Sequence, residues 1–132
     1  MSNKLKWIPK GWGGELIVAN NDNYCGKVLK FIKGHKLSLH YHKVKSETFF
    51  LNYGKLKILY FDDVELAKKL INAEGVEYFK QYYCQEVILE KGDAFEVPVG
   101  RIHQMIALEE SELFEFSTTD FPEDSYRLQK GD

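Results

Sequence analysis

Three histidines and one glutamate in this chain have the spacing of a metal site. His40 and His42 lie two positions apart in the stretch GHKLSLHYHKVKSETFFLNYG (residues 34–54), and Glu47 follows five positions later. On a β-strand, residues two apart project to the same face, so these imidazoles can share one ion. A carboxylate from the next strand can add a ligand, and the stretch GDAFEVPVGRIH (residues 92–103) supplies a further histidine.

Three imidazoles and one carboxylate form a donor set that suits one divalent ion of Zn, Mn, Fe, Ni or Co. Four protein ligands around an octahedral ion leave two positions for water or substrate, which is typical of a working site rather than a closed structural one. The alternative is that these are core or surface histidines that never meet a metal. Three of the chain's four histidines occupy the candidate ligand positions 40, 42 and 103, which weighs against it. The fourth, His35, follows a turn glycine and is predicted to be an exposed loop residue.

The composition predicts one ordinary globular domain, residues 1–132, with 44% hydrophobic and 29% charged residues. A formal net charge of −2, with both signs scattered, argues against a nucleic-acid partner. No apolar run approaches the roughly 18 residues of a membrane helix, and the N-terminus lacks a signal-peptide segment. We therefore expect a cytoplasmic protein without membrane contact, in which Cys25 and Cys84 are free thiols.

Many short apolar segments separated by Gly, Asn, Asp and Pro turns predict an all-β sandwich or barrel. Strands are predicted at residues 4–8, 15–19, 24–32, 36–42, 48–52, 55–61, 77–83, 85–89, 94–97, 102–108 and 113–118. The segment VELAKKLINA (residues 64–73) instead has helical spacing, with Asp62 or Asp63 as N-cap and Gly75 as its stop. The polar tail from Asp120 is predicted to wrap the outside or to lie across an opening.

The two histidine stretches resemble the two sequence motifs of the cupin superfamily. The matching positions are Gly34, His40, His42, Glu47 and Gly54 in the first motif, and Gly92, Pro98, Gly100 and His103 in the second. The departure is Ala107, where many cupins have Asn at a position that is not a ligand. The resemblance implies a double-stranded β-helix (jelly-roll) cupin barrel, to which the helical spacing at residues 64–73 adds one short inserted helix. It also implies that one divalent metal ion is held by the residues His40, His42, Glu47 and His103.

A finer resemblance is to the cupin domain of type II mannose-6-phosphate isomerases. It is carried by Trp12-Gly13-Gly14-Glu15, by the Lys-Leu-Ser-Leu stretch at residues 36–39 and by residues 115–124 near the end. The spacing from His42 to Glu47 is one residue longer than in that family, and the inserted helix has no counterpart there. The resemblance implies an isomerase or epimerase acting on a sugar or sugar phosphate through an enediolate that the metal stabilises.

Such a reaction needs a base near the metal, and the sequence offers few candidates. Glu115 matches a glutamate of the isomerase family, but its facing is ambiguous because Phe114 and Phe116 flank it. Glu96, between Phe95 and Val97, has the same ambiguity. Arg101 and Lys36 are candidates for holding a substrate phosphate at the barrel mouth, and Arg127 in the tail is a weaker one.

Two other functions remain open at this stage. One is a different cupin reaction, such as an Fe(II)-dependent dioxygenase or a metal-assisted lyase. Oxygen consumption with Fe(II) would point to the dioxygenase. The other is a non-catalytic metal-binding or sugar-binding module, which a dry apolar pocket beside the metal would favour. The cupin resemblance also implies a homodimer, for which the aromatic-rich run at residues 77–87 is the candidate edge.

Overall fold

A computed structural model of the chain describes residues 4–132; the first three residues of the predicted 1–132 domain lie outside the described residues. Two antiparallel sheets face each other, so the all-β prediction is confirmed. The larger sheet has the order β1-β2-β3-β10-β5-β8. Its strands are β1 (Trp7–Lys10), β2 (Gly13–Asn20), β3 (Cys25–Phe31), β10 (Ser111–Ser117), β5 (Glu47–Tyr53) and β8 (Ala94–Val97).

The smaller sheet has the order β11-β4-β9-β6-β7. Its strands are β11 (Tyr126–Gln129), β4 (Leu39–Tyr41), β9 (Ile102–Ala107), β6 (Lys55–Phe61) and β7 (Gln85–Glu90). The predicted strand at residues 36–42 is shorter than expected, because Lys36 makes only an isolated pairing with Ile106. The tail forms β11, which pairs antiparallel with β4; this strand was not predicted from the sequence.

The main core lies between the sheets and is built by strand alternation. Leu51 of β5, Leu56 and Ile58 of β6 and Leu113 of β10 are fully buried there. Burying each such side chain stabilises the fold by about 1.5–3 kcal/mol. The turn between β5 and β6 requires glycine, because Gly54 has φ of +97° and a Cβ there would meet Ser111 and the Glu110 carbonyl. Apolar burial on one face of each strand thus fixes which side chains face the interior.

Two helices, rather than the single predicted one, cover the outer face of the smaller sheet. The first, α1 (Val64–Glu74), begins as predicted: Asp63 Oδ1 accepts from the Leu66 amide at 3.0 Å, and Gly75 follows its last residue. The second, α2 (Val76–Tyr82), replaces the strand predicted at residues 77–83, which is wrong.

The error has a tertiary cause. Helical spacing places Val76 and Phe79 in a second apolar cluster with Phe61 and Ala67, where Phe79 is fully buried. This packing outweighs the β propensity of the aromatic residues. Most of the run proposed as a dimer edge is consequently helical, and only its end belongs to β7, the outer strand of the smaller sheet. None of the helices among the described residues has the length and apolar character needed to cross a membrane.

Candidate metal site

The three histidines of the two motifs converge at one end of the space between the sheets. His40 on β4 lies directly opposite His103 on β9, and His42 follows the end of β4. All three are buried, and one ring nitrogen of each lies within 4.8 Å of the others. The ring centroids of His40 and His103 are 4.4 Å apart, and those of His40 and His42 are 4.9 Å apart. The pairing of β4 with β9 therefore builds this cluster.

Backbone carbonyls hold the Nδ1 atom of each ring. Nδ1 of His40 lies 3.0 Å from the Ser38 carbonyl, and Nδ1 of His103 lies 3.0 Å from the Arg101 carbonyl. Nδ1 of His42 lies 2.8 Å from the Asp124 carbonyl. A carbonyl oxygen can only accept, so Nδ1 carries a proton in each ring. In the neutral imidazole this leaves the Nε2 lone pair free, which is the arrangement that metal-binding histidines use.

The larger sheet contributes the carboxylate. Glu47, the first residue of β5, places Oε2 3.2 Å from Nε2 of His103 and 3.4 Å from Nε2 of His42. Burial raises the pKa of Glu47, but hydrogen bonds from His103 and His42 when these rings carry a proton on Nε2, together with the ammonium of Lys45, more than offset burial. The pKa consequently lies well below its usual value, and the carboxylate is ionised. Its Oε2 is buried and has no hydrogen-bond partner among the described residues.

These residues fit a divalent cation. Burial, followed by the neighbouring His103 and His42 rings, holds the pKa of His40 well below its usual range, so this ring is neutral. Burial lowers the pKa of His42, but Glu47 outweighs burial and the net shift is upward, so a proton and a cation are alternative occupants beside Nε2. Lone pairs of Nε2 atoms and of Glu47 Oε2 face one another, and a positive charge between them relieves their repulsion.

A buried lysine lies beside the candidate ligands. Lys45 is 4% exposed, and its Nζ lies 2.8 Å from Asp120 Oδ1, 3.2 Å from Glu115 Oε2 and 3.3 Å from Glu47 Oε1. Lys27 on β3 pairs with the other oxygen of Asp120 at 3.0 Å. Burial lowers the pKa of Lys45, but Glu115 and Glu47 more than offset it and the pKa is raised. The ammonium is therefore charged and joins three carboxylates.

The structure resolves the facing of Glu115. Glu115 is 6% exposed and points between the sheets with Leu113, whereas Phe116 is 57% exposed on the outer face. Burial, and next to it the charge of Glu47, raises the pKa of Glu115 to about 7, which Lys45 only partly counteracts. Oε2 accepts from Lys45, while Oε1 has no hydrogen bond among the described residues. Glu96, the other candidate base, is exposed and faces away.

The site opens into a cavity of about 500 Å³. The tail lies across this opening, which is one of the two positions that the sequence predicted for it. It contributes Phe121, Pro122, Ser125 and Arg127 to the cavity wall. Arg127 on β11 lies directly opposite His40 on β4. Directly paired residues point to the same face, so the guanidinium is on the cavity side. Three basic side chains line the wall without an ion pair among the described residues: Lys10, Arg127 and Lys130.

The two residues predicted to hold a phosphate lie elsewhere. Arg101 pairs with Asp62 at 2.7 Å and stacks its guanidinium over the rings of Tyr60 and Phe95. Lys36 adds positive charge next to Glu77 and Lys80 near α2. Neither side chain lines the cavity, so for Arg101 and Lys36 the structure does not support a role in substrate binding.

Sequence reasoning missed several residues of the site, namely Lys27, Lys45, Asp120 and Asp124. Lys27 had a signal, because it shares one face of β3 with the buried residues Cys25, Leu29 and Phe31. Lys45 had a weaker signal, its position in the short loop between two candidate ligands. Asp120 and Asp124 lie in residues 115–124, which the finer resemblance includes, but this resemblance assigned them no role at the site.

Comparison with known proteins gives similarity in structure but not in sequence. No protein-family model matches the chain, and no curated protein matches it. Among solved structures, CapF, a capsular polysaccharide assembling protein from Staphylococcus aureus, superposes with a TM-score of 0.73 at 19% identity over 97% of this chain. KdgF from a Halomonas species superposes with a TM-score of 0.66 at 19% identity, covering 89% of each chain.

A third neighbour is the oxalate decarboxylase of Bacillus subtilis, with a TM-score of 0.69 at 20% identity over 94% of this chain. A further structure of the same enzyme, which matches this chain with the same TM-score, is described as having Mn(II) centres. The present chain spans 35% of the length of CapF and 30% of the length of the decarboxylase. All three neighbours are cupin-fold proteins, and the likeness shows that this chain has the same jelly-roll fold.

Proposed function

We propose that this cupin-fold protein is a metal-dependent enzyme that isomerises or epimerises a sugar phosphate. One observation carries the proposal: the three imidazoles and Glu47 meet at the wall of a cavity that also presents a buried acid, Glu115, and a guanidinium, Arg127, which has no ion pair with any described residue. The names of two neighbours support it, since one assembles a capsular polysaccharide and the other has Mn(II) centres. The cavity is not the dry apolar pocket that a non-catalytic module predicts.

We assign His40, His42, Glu47 and His103 as the ligands of one divalent ion of Zn, Mn, Fe, Ni or Co. When bound, such an ion supplies a Lewis acid that stabilises negative charge on neighbouring substrate oxygens. The remaining work falls to the protein, which must orient the substrate and move one proton. The second ring nitrogens, fixed by backbone carbonyls, keep the imidazoles aimed at the ion.

Glu115 is the residue we assign to proton transfer. Lys45 holds its Oε2, which leaves Oε1 to accept a proton from the substrate carbon next to the carbonyl. The C–H bond breaks, an O–H bond forms on Glu115, and the bonding electrons form an enediolate. Glu115 exchanges its proton with water and delivers a proton to the neighbouring carbon, while the hydroxyl proton moves from one enediolate oxygen to the other. An epimerisation instead takes its new proton from a second acid on the opposite face. A carboxyl whose pKa is near neutral can serve both as base and as acid in these two steps.

Three basic side chains at the mouth of the cavity favour a phosphate group on the substrate. The side chains of Lys10, Arg127 and Lys130 come from the β1 edge and from the tail, and they line the same cavity. Arg127 carries a guanidinium, whose donor geometry matches two phosphate oxygens. A phosphate held at this mouth leaves the sugar carbons pointing towards the histidines.

The charge of Arg127 is expected to act on substrate binding. Arg127→Gln raises the KM for the phosphorylated substrate at least about tenfold, since a charge-assisted hydrogen bond contributes about 1.5–3 kcal/mol. The kcat changes less, because the guanidinium does not take part in proton transfer. Arg101→Gln is the matched control, since that side chain pairs with Asp62 outside the cavity, and its KM stays at the wild-type value. Equal effects of the two substitutions contradict this role of Arg127.

The proposal is tested by elemental analysis of protein purified without added metal, followed by a panel of sugar phosphates in deuterated water. We expect bound divalent metal, loss of turnover with a chelator, and deuterium incorporation at the carbon next to the carbonyl. Each phosphorylated sugar is paired with its free sugar, which should be a poorer substrate. Metal-bound protein that exchanges no proton with any member, but consumes oxygen or releases CO₂ from a carboxylate substrate, would overturn the isomerase assignment.

A further inference from the structure

The loop between the candidate ligands His42 and Glu47 has no regular structure of its own. Residues 43–46 fall outside any strand, yet every one of their amides is bonded to the C-terminal part of the chain. Asp124 Oδ1 accepts from the Lys43 amide at 2.8 Å, and Oδ2 accepts from the Lys45 amide at 2.9 Å. The Val44 amide lies 3.1 Å from Oδ1, and the Ser46 amide donates to Thr118 Oγ1 at 3.2 Å.

The same residue also holds a ligand directly. The backbone carbonyl of Asp124 accepts from Nδ1 of His42 at 2.8 Å. Asp124 is 4% exposed and ends a 3₁₀ turn, Pro122–Asp124. Its carboxylate therefore fixes the loop that leads to Glu47, while its carbonyl sets the proton position and the orientation of the His42 ring.

We infer that Asp124 is a positioning residue of the metal site, which clamps the loop between two ligands and orients His42 from the C-terminal tail. The inference rests on the metal site of the proposed function, but it adds a role for the tail. Buried amides that lose their acceptor must find another partner. Without the carboxylate, the loop is free to rearrange, and both His42 and Glu47 lose the positions that bring them together.

The test is Co(II) binding to Asp124→Asn, which keeps the shape of the side chain but replaces one acceptor oxygen by a donor. Binding is followed by the visible absorption of Co(II), which reports the ligand geometry, at a temperature where circular dichroism shows the variant folded. We expect Co(II) affinity to fall about 10–100-fold, as is typical of residues that orient metal ligands, together with a changed absorption spectrum. Glu123→Gln, an exposed neighbour on the same turn, is the matched control and should behave as wild type.

The outcomes separate the inference from the proposed function. Wild-type protein that binds no Co(II) overturns the metal site and the inference with it. Wild-type protein that binds Co(II), with Asp124→Asn equal to it in affinity and spectrum, overturns the inference alone. A variant that is less stable but binds with unchanged affinity and spectrum shows a merely structural role, and this also overturns it.

A second measurement uses the wild-type chain and covers the case in which the variant does not fold. Co(II) binding is expected to slow hydrogen exchange at the amides of Lys43, Val44 and Lys45, because the ion and Asp124 hold the same loop. The amides of β7, none of whose residues lines the cavity, serve as the internal control and should not change. Unchanged exchange of the three loop amides on saturation with Co(II) contradicts the coupling.

Discussion

His42→Ala is expected to abolish metal binding while leaving the jelly roll folded. The substitution removes one of four assigned ligands, so the affinity of the protein for a divalent ion should fall at least about 100-fold. Mutation of residues that only orient metal ligands already lowers metal affinity about 10–100-fold. The core between the sheets does not contain His42, so circular dichroism should show the same strand content. Isothermal titration with Zn(II) or Mn(II) measures the affinity, and activity is expected to be lost with the metal.

Thermal unfolding gives an independent readout of the same substitution. A ligand at 100 times its Kd stabilises the folded state by about 2.7 kcal/mol, which corresponds to about 10 °C in Tm for a domain of this size. Wild-type protein should show this rise with metal, and His42→Ala should not. His35→Ala is the matched control, because His35 pairs with Asp132 at the surface and should keep the full rise. Full metal occupancy in His42→Ala contradicts the ligand assignment.

Glu115→Gln is expected to lower kcat about 10²–10⁴-fold, the usual contribution of a positioned general base. The substitution keeps the size of the side chain and removes its ability to take a proton. Metal affinity should remain within a few-fold of wild type, because Glu115 pairs with Lys45 and is not one of the assigned ligands. Steady-state kinetics with the substrate found in the panel, together with metal titration, separates the two effects.

Glu96→Gln is the natural comparison for this prediction. The two glutamates are indistinguishable from their sequence surroundings, since each lies between apolar neighbours on a strand, but Glu96 is exposed on the outer face. It should retain wild-type kcat. An active Glu115→Gln enzyme would exclude Glu115 as the base, and loss of metal in that variant would show that Glu115 acts through the ligand set instead.

The sequence was sufficient to select the three histidines and Glu47, which the structure brings together at the site. The spacing of His40 and His42 fixes a common face on any strand, and glycines at fixed distances mark where the adjoining turns must fall. Gly54 and Gly92 both adopt positive φ, as their turn positions require. Local geometry of this kind depends on few long-range contacts, which is why the pattern alone predicts it.

The facing of Glu115 could not be predicted because β10 is apolar on both faces. Leu113 packs inside, while Phe114 stacks on Phe50 across the outer face with ring centroids 6.1 Å apart. The alternation of polar and apolar residues therefore does not show which face of this strand is buried. The segment of α2 was predicted to be a strand because its aromatic residues favour strands. Packing of Phe79 against Phe61 outweighs this propensity and makes the segment helical.

Long-range partners explain the remaining differences. Asp62 is far from Arg101 in sequence and draws its side chain away from the cavity, whereas the tail brings Asp120 to Lys45 and Asp124 to the loop at residues 43–46. Contacts between residues about 40 to 80 positions apart leave no periodic trace in the sequence. The sequence predicted that the polar tail wraps the outside or lies across an opening, but it did not predict which of its residues contact the site.

The central claim is that His40, His42, Glu47 and His103 bind one divalent ion. Anomalous diffraction from crystals grown with Zn(II) or Mn(II), recorded on both sides of the absorption edge, tests it most directly. The account predicts a single strong peak between these four side chains, about 2.0–2.2 Å from each ligand atom. A map with no peak there, or with the metal bound only at other residues, would contradict it.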